Sequence, residues 1–255
     1  MLLSPCIEYV FQREHEDFCD RIRAASAAGF SAVEFHMWRN KSLEELERTL
    51  KETNLGLTSM LVEPRAALND MSAISNTVSA MRESLVTAKR LQVPALVSGS
   101  GMIVADQTPQ EQHDAIVKTL KQCAGLFEDS GITMLLEPVN TRVDHPGIFL
   151  DRTPEGLDII EEVGSPRVRL LYDMYHSTCM GEDPAEVLGD RMHLVGHVQI
   201  ADAPGRHEPS SGAINWKDYM DVLRAKGYQG AIGLEYRPSG NSLTSLQQTR
   251  QALGL

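Results

Sequence analysis

Eight times along this chain a short run of β-type residues gives way to a longer stretch with helical spacing. The strand-like runs are Ser4–Val10, Ser31–Met37, Leu55–Val62, Pro94–Gly99, Ile132–Glu137, Val168–Asp173, His193–Ile200 and Ala231–Tyr236. Several, such as ITMLLE and VRLLYD, are almost unbroken apolar runs, as expected of parallel strands covered on both faces. Parallel strands joined through helices leave a closed barrel or an open doubly wound sheet. The open sheet is disfavoured, because no GxGxxG or other phosphate loop follows an early strand. Ser98-Gly99-Ser100-Gly101 lacks that pattern and reads as a flexible active-site loop. At 255 residues, with no linker, low-complexity stretch or shift of composition, residues 1–255 read as one α/β domain, a (β/α)8 TIM barrel.

The intervening segments carry helix signals. From Met71 to Leu91, the residues Met71, Ile74, Val78, Met81, Leu85 and Leu91 recur in steps that build one apolar face, here the barrel-facing side. Ser42 precedes Glu45 by a capping-box spacing, and Pro154 stands at a first helical position. Glycines at 29, 56, 131, 227 and 230 mark the returns into strands.

A net charge of −11 argues against nucleic acid or an anionic membrane as partner, since both repel such a surface. Cys6, Cys19, Cys123 and Cys179 form no CxxC pair and read as reduced thiols. The N-terminus turns acidic too soon for a signal peptide, and no apolar run approaches the roughly 18 residues of a spanning helix. A soluble, cytoplasmic protein acting on a small molecule is the expectation, with a homo-oligomer left open.

Barrels of this kind build their sites at the C-terminal strand ends. Those ends offer Glu34, Glu137, Asp173, Gln199 and Glu235, the last four separated by 36, 26 and 36 residues, each about one βα unit. Buried carboxylates are costly unless a cation compensates them. Strand-end ion pairs could do so singly; for four oxygen-bearing side chains on successive strands, one divalent metal is the better answer. Three carboxylates and an amide oxygen suit Mg²⁺ or Mn²⁺ over Zn²⁺.

The stretches LLEPVN, LLYDMYH, GHVQIADAPGRHEPSSGAINW and GLEYRP resemble the hydroxypyruvate isomerases, within the xylose-isomerase-like barrels of sugar isomerases and epimerases. The likeness is tight over the C-terminal half and loose before it, where only AAGFSAVEF carries it. It implies that Glu137, Asp173, Gln199 and Glu235 are the metal ligands. Many epimerases of the group have His where this chain has Gln199, which favours the isomerase branch. The resemblance also marks His176 and Arg206 as substrate contacts.

The chemistry such residues can do is aldose–ketose isomerisation. A metal polarises the carbonyl and stabilises a cis-enediolate, while a carboxylate, Glu137 or Glu235, shuttles the proton. Arg206 could anchor a substrate carboxylate or be a solvated loop residue. His197 reads as a packed core histidine, His193 as structural, and His207 and Glu208 as lining the mouth or solvated. Glu34 and His36 could touch substrate, His145 lies in a DHPG turn, and Cys179 has no base to make it a nucleophile. Hydroxypyruvate and tartronate semialdehyde are the pair the resemblance implies. Oxo-tetronate isomerisation, ketose 3-epimerisation and a non-catalytic metal-binding barrel are the alternatives. An abasic-site endonuclease is rejected, because no Asp-x-His pair follows Gln199 and the charge is acidic.

Overall fold

A computed structural model describes residues 1–255. Nine short strands and nine α-helices run along it, alternating except where β3 is followed by β4 and where two helices follow β7. The strands are β1 (Leu2–Pro5), β2 (Ala32–Val33), β3 (Gly56–Leu57), β4 (Met60–Leu61), β5 (Ala95–Ser98), β6 (Thr133–Leu136), β7 (Val168–Asp173), β8 (Val195–Ile200) and β9 (Ala231–Leu234). Every pairing is parallel, in the order β1-β9-β8-β7-β6-β5-β4, with β2 on β3. Backbone bonds close the remaining gaps into a ring. Glu34 N–H donates to Pro5 and Ile7 N–H to Glu34, while Phe35 N–H reaches Ser59 and Leu61 N–H reaches His36. β3 and β4 are therefore one barrel strand, interrupted at Thr58–Ser59.

The expected strand Val168–Asp173 forms in full, but others are shorter. His193 is not in a strand: Arg191–Leu194 is a 3₁₀ turn, and His193 is exposed there. The helix over Met71–Leu91 begins as a 3₁₀ turn, Met71–Ala73, and becomes α3 at Ile74–Leu91. Ser42 Oγ does accept from Glu45 N–H at the start of α2 (Leu43–Thr53), where Asn54 rather than Gly56 takes the left-handed cap. A complete capping box, Thr108 with Glu111, opens α4 (Pro109–Phe127).

Side-chain parity sorts each strand. Met134, Leu136, Leu170, Tyr172, Val198, Ile200, Ile232 and Leu234 face outward into the main core between sheet and helices. Leu135 and Leu171 face inward, meeting Ala95 and Val97 in a small apolar plug. Two residues further on, the same parity sends Glu137, Asp173, Gln199 and Glu235 inward at one end of the barrel. Ser98–Gly101 is not a free loop. Ser100 is fully buried, its Oγ accepts from Leu150 N–H at 2.9 Å, and its carbonyl accepts from Asn69 N–H.

Candidate active site

Asp173 ends β7 and caps the short helix α6 (Met174–Cys179). Its Oδ1 accepts from Tyr175 N–H at 2.8 Å, which leaves Oδ2 facing the barrel mouth. One helical turn on, His176 swings back over it, with Nε2 3.5 Å from Asp173 Oδ2 and 3.9 Å from Glu137 Oε1. Possible ligand atoms of Glu137, Asp173 and His176 all lie within 4.8 Å of one another.

The hydrogen bonds of His176 decide its state. Its Nδ1 faces two donors, the Asn140 backbone N–H at 3.2 Å and the Asn140 side-chain amide nitrogen at 2.6 Å. That amide cannot turn over, because its oxygen accepts from Val143 and Asp144 N–H. Nδ1 is therefore an acceptor, and the ring proton sits on Nε2. Burial, reinforced by Arg206, holds the imidazole well below its ordinary pKa, so it is neutral. His176 thus presents an N–H to the site beside Asp173 and Glu137. His145 packs edge-on against it with ring centres 5.3 Å apart.

Arg206 is buried, against the option of a solvated loop arginine. Its backbone is left-handed (φ 54°), a conformation a non-glycine residue holds only when its surroundings fix it. Arg237 N–H binds its carbonyl, and its guanidinium lies 5.0 Å over the Tyr175 ring. Nη2 stands 2.7 Å from Glu235 Oε1 and 3.4 Å from Asp173 Oδ2. His36 Nε2 reaches the same Glu235 oxygen at 3.4 Å.

These neighbours split the carboxyls. Burial raises Glu137 well above the usual range, and the charges of Glu235 and Asp173 add to it. Burial also pushes Asp173 up, against Arg206, to about 7. At Glu235 the burial penalty is outweighed by Arg206 and His36, which hold it low. Gln199, the register neighbour of Asp173, donates its amide N–H to Glu34 at 2.8 Å, and its buried oxygen has no protein partner.

The remaining candidates fall into supporting places. His197 is buried, with Nε2 2.8 Å from Glu34. His207 Nδ1 binds the Arg237 carbonyl, and buried Glu208 binds Ser239, so both tie the loop after β8 to the chain after β9. Burial raises the pKa of the Cys179 thiol. Asn140 and His145 have no signal of their own in the sequence, because only the fold sets them against His176.

The family described as xylose isomerase-like TIM barrel matches residues 22–254. The chain belongs to this family. Within it, a 2-oxo-tetronate isomerase from Cupriavidus necator is 34% identical over 93% of the chain and 94% of its own length. A hydroxypyruvate isomerase from Escherichia coli K12 is 28% identical, covering 91% of this chain and 92% of that one. The expected isomerase family and barrel are borne out, and the chain is an isomerase. The crystal structure of a Brucella melitensis protein named as an AP endonuclease of family 2 superposes with a TM-score of 0.91 at 27% identity, covering 98% of both chains. No helix is long and apolar enough to cross a membrane.

Proposed function

We propose that this xylose isomerase-like barrel interconverts hydroxypyruvate and tartronate semialdehyde by proton transfer through a cis-enediolate. In this reading Glu137, Asp173, Gln199 and Glu235 hold one divalent cation, Mg²⁺ or Mn²⁺. The observation that carries it is the Gln199 amide oxygen, buried and unpartnered in a set with the buried carboxyls of Asp173 and Glu235 and the half-buried Glu137. An orphaned acceptor costs about 1–3 kcal/mol, and a hard cation fits a set made only of oxygens. When bound, that cation polarises the substrate carbonyl.

The chain's own groups supply the proton traffic. Two carboxyls that reach the site from different strands, Glu137 and Glu235, can each carry one proton between substrate atoms. Ionised Glu235 takes the proton from the hydroxyl-bearing carbon, while Glu137, as a carboxylate, relays the hydroxyl proton to the carbonyl oxygen. Return of a proton to the neighbouring carbon completes the exchange. His176 Nε2–H donates to a substrate oxygen. Arg206 Nε, a buried donor without a partner, is available to a substrate carboxylate.

A four-carbon 2-oxo-tetronate is the second reading, supported by the Cupriavidus relative of that name. The net charge of −11 speaks against a DNA backbone as ligand, despite the endonuclease name of the Brucella protein. The test is turnover of hydroxypyruvate, 2-oxo-tetronate and a neutral ketose in deuterated buffer with Mn²⁺. Product from an oxo acid carrying solvent deuterium is expected. Epimerisation of the ketose alone would replace the reading with a sugar epimerase, and Mn²⁺ binding without turnover would leave a non-catalytic barrel.

A further inference from the structure

Glu34 lies beneath the site rather than in it. Only 1% exposed, its carboxylate gathers donors from four other positions around the ring. Oε2 accepts from His197 Nε2 at 2.8 Å, Thr58 Oγ1 at 3.1 Å and Ser59 Oγ at 3.3 Å. Thr58 gives its one proton to Glu34, so at 2.7 Å it accepts from Ser4. That arrangement leaves Oε1 for the Gln199 amide nitrogen at 2.8 Å. Gly233 makes room for it: a Cβ there would collide with Oε1.

We infer that Glu34 is a positioning residue that fixes which end of the Gln199 amide faces the site. The inference rests on the proposed ligand role of Gln199. Turned over, the amide would set its oxygen against the Glu34 oxygen, two acceptors at hydrogen-bond distance. A carboxylate has only acceptors to offer, so it enforces one orientation: nitrogen down to Glu34, oxygen up. The same atoms explain why the Gln199 oxygen is left without a protein partner. An amide ligand needs such a brace, because its two ends differ little in shape and only one can bind a hard cation.

Mn²⁺ affinity of the purified protein, read from the spin-resonance signal of free Mn²⁺, tests this without recourse to turnover. Glu34→Gln keeps the shape but lets residue 34 donate to the Gln199 oxygen. Affinity should fall about 10- to 100-fold, the usual cost of losing an outer-shell partner. Exchanging the two side chains, Glu34→Gln with Gln199→Glu, restores a donor below and an oxygen above, and should recover most of the loss. A role confined to folding would give no such reciprocal rescue. Unchanged affinity in Glu34→Gln, or a folded exchange variant no better than the single change, overturns the inference. Should Glu34→Gln not fold, the exchange variant decides alone: folded and binding Mn²⁺ supports it, folded without Mn²⁺ overturns it. Wild-type protein that binds no Mn²⁺ would overturn the metal site itself, an outcome distinct from both.

Discussion

The two sides of the barrel are built differently. From β6 to β9 the strands run four to six residues, pair side by side with one register shift between β7 and β8 at Leu170/Leu171, and each leads at its C-terminal end into an inward oxygen. From β2 to β4 each strand is two residues long, and their inward positions carry Glu34, Thr58 and Ser59, bonded to one another instead of opening to the mouth. One side presents unpaired acceptors and mutually repelling carboxyls, and the other satisfies its polar groups internally. The contrast teaches that buried charge in a barrel has two resolutions. A carboxylate ringed by donors is a brace, while a set of carboxyls short of donors is a site awaiting a cation or substrate.

The sharpest break of that comparison is catalytic. Glu235→Gln and Glu137→Gln should each cut turnover of the keto acid by about 10²–10⁴, the range for loss of a general acid or base. Both variants should still melt cooperatively, since Gln keeps the shape of each side chain, with Glu235→Gln melting lower because it takes one buried partner from Arg206. Near wild-type rates in either variant would move the proton chemistry elsewhere.

Arg206→Ala comes next. It strips the shared counter-charge from Asp173 and Glu235, and breaking a buried pair this way costs about 3–5 kcal/mol. Metal-free Arg206→Ala should therefore melt well below wild type, and Mn²⁺ should raise its melting temperature more than it raises that of wild type. The exposed pair Arg39–Glu83 is the control: Arg39→Ala should cost only about 0–1 kcal/mol. Equal losses in the two variants would mean that the Arg206 pair has no special burial energy.

What can be read from the sequence follows the same division. ITMLLE and VRLLYD are legible because strands covered on both faces are unbroken apolar runs, and the acid that ends each stands out. The β2–β4 side is less legible. Its strands are shorter and polar inside, so Ser31–Met37 and Leu55–Val62 read as longer strands than form, and Glu34 reads as a residue that could touch substrate. Whether a strand-end acid is braced or bare depends on Thr58, Ser59 and His197 arriving from other strands, which no local pattern encodes. Arg206 is ambiguous for a similar reason: a Gly/Pro loop arginine looks solvated until the fold sets two carboxylates beside it.

The pH response divides the carboxyls of the β6–β9 side among themselves. Asp173 is raised from 3.8 to about 7, and Glu137 is raised well above 4.5. A carboxyl raised on folding contributes stability that is full below its unfolded value and is lost as pH rises through the folded one. Metal-free protein should accordingly lose stability from Asp173 as pH climbs from about 4 toward about 7, and from Glu137 as pH rises above its ordinary pKa. Glu235, held low, acts oppositely, and its contribution fades only in acid. A cation must displace the site's protons, so Mn²⁺ affinity should rise by up to about tenfold per pH unit for each proton released, with the share that belongs to Asp173 levelling above about pH 7. Titrations at several pH values check it, and a flat profile would mean that the carboxyls are ionised before the metal arrives.

The smallest expected effect lies in the brace. Thr58→Val keeps the shape, removes one of the donors to Glu34, and takes away the acceptor for Ser4 Oγ, which is fully buried. A buried hydroxyl left without a partner costs about 1–3 kcal/mol, and that is the loss expected in chemical denaturation. Adding Ser4→Ala removes the stranded hydroxyl, so the double variant should be no less stable than Thr58→Val, a non-additive result that marks a shared network. Mn²⁺ affinity should barely move in either, because His197 and Ser59 still donate to Glu34 and its bond to the Gln199 amide stays intact. If Thr58→Val instead weakened Mn²⁺ binding as far as Glu34→Gln does, the brace would not act through one amide. The whole ring of donors would then be part of the site, and the division between the two sides of the barrel would dissolve.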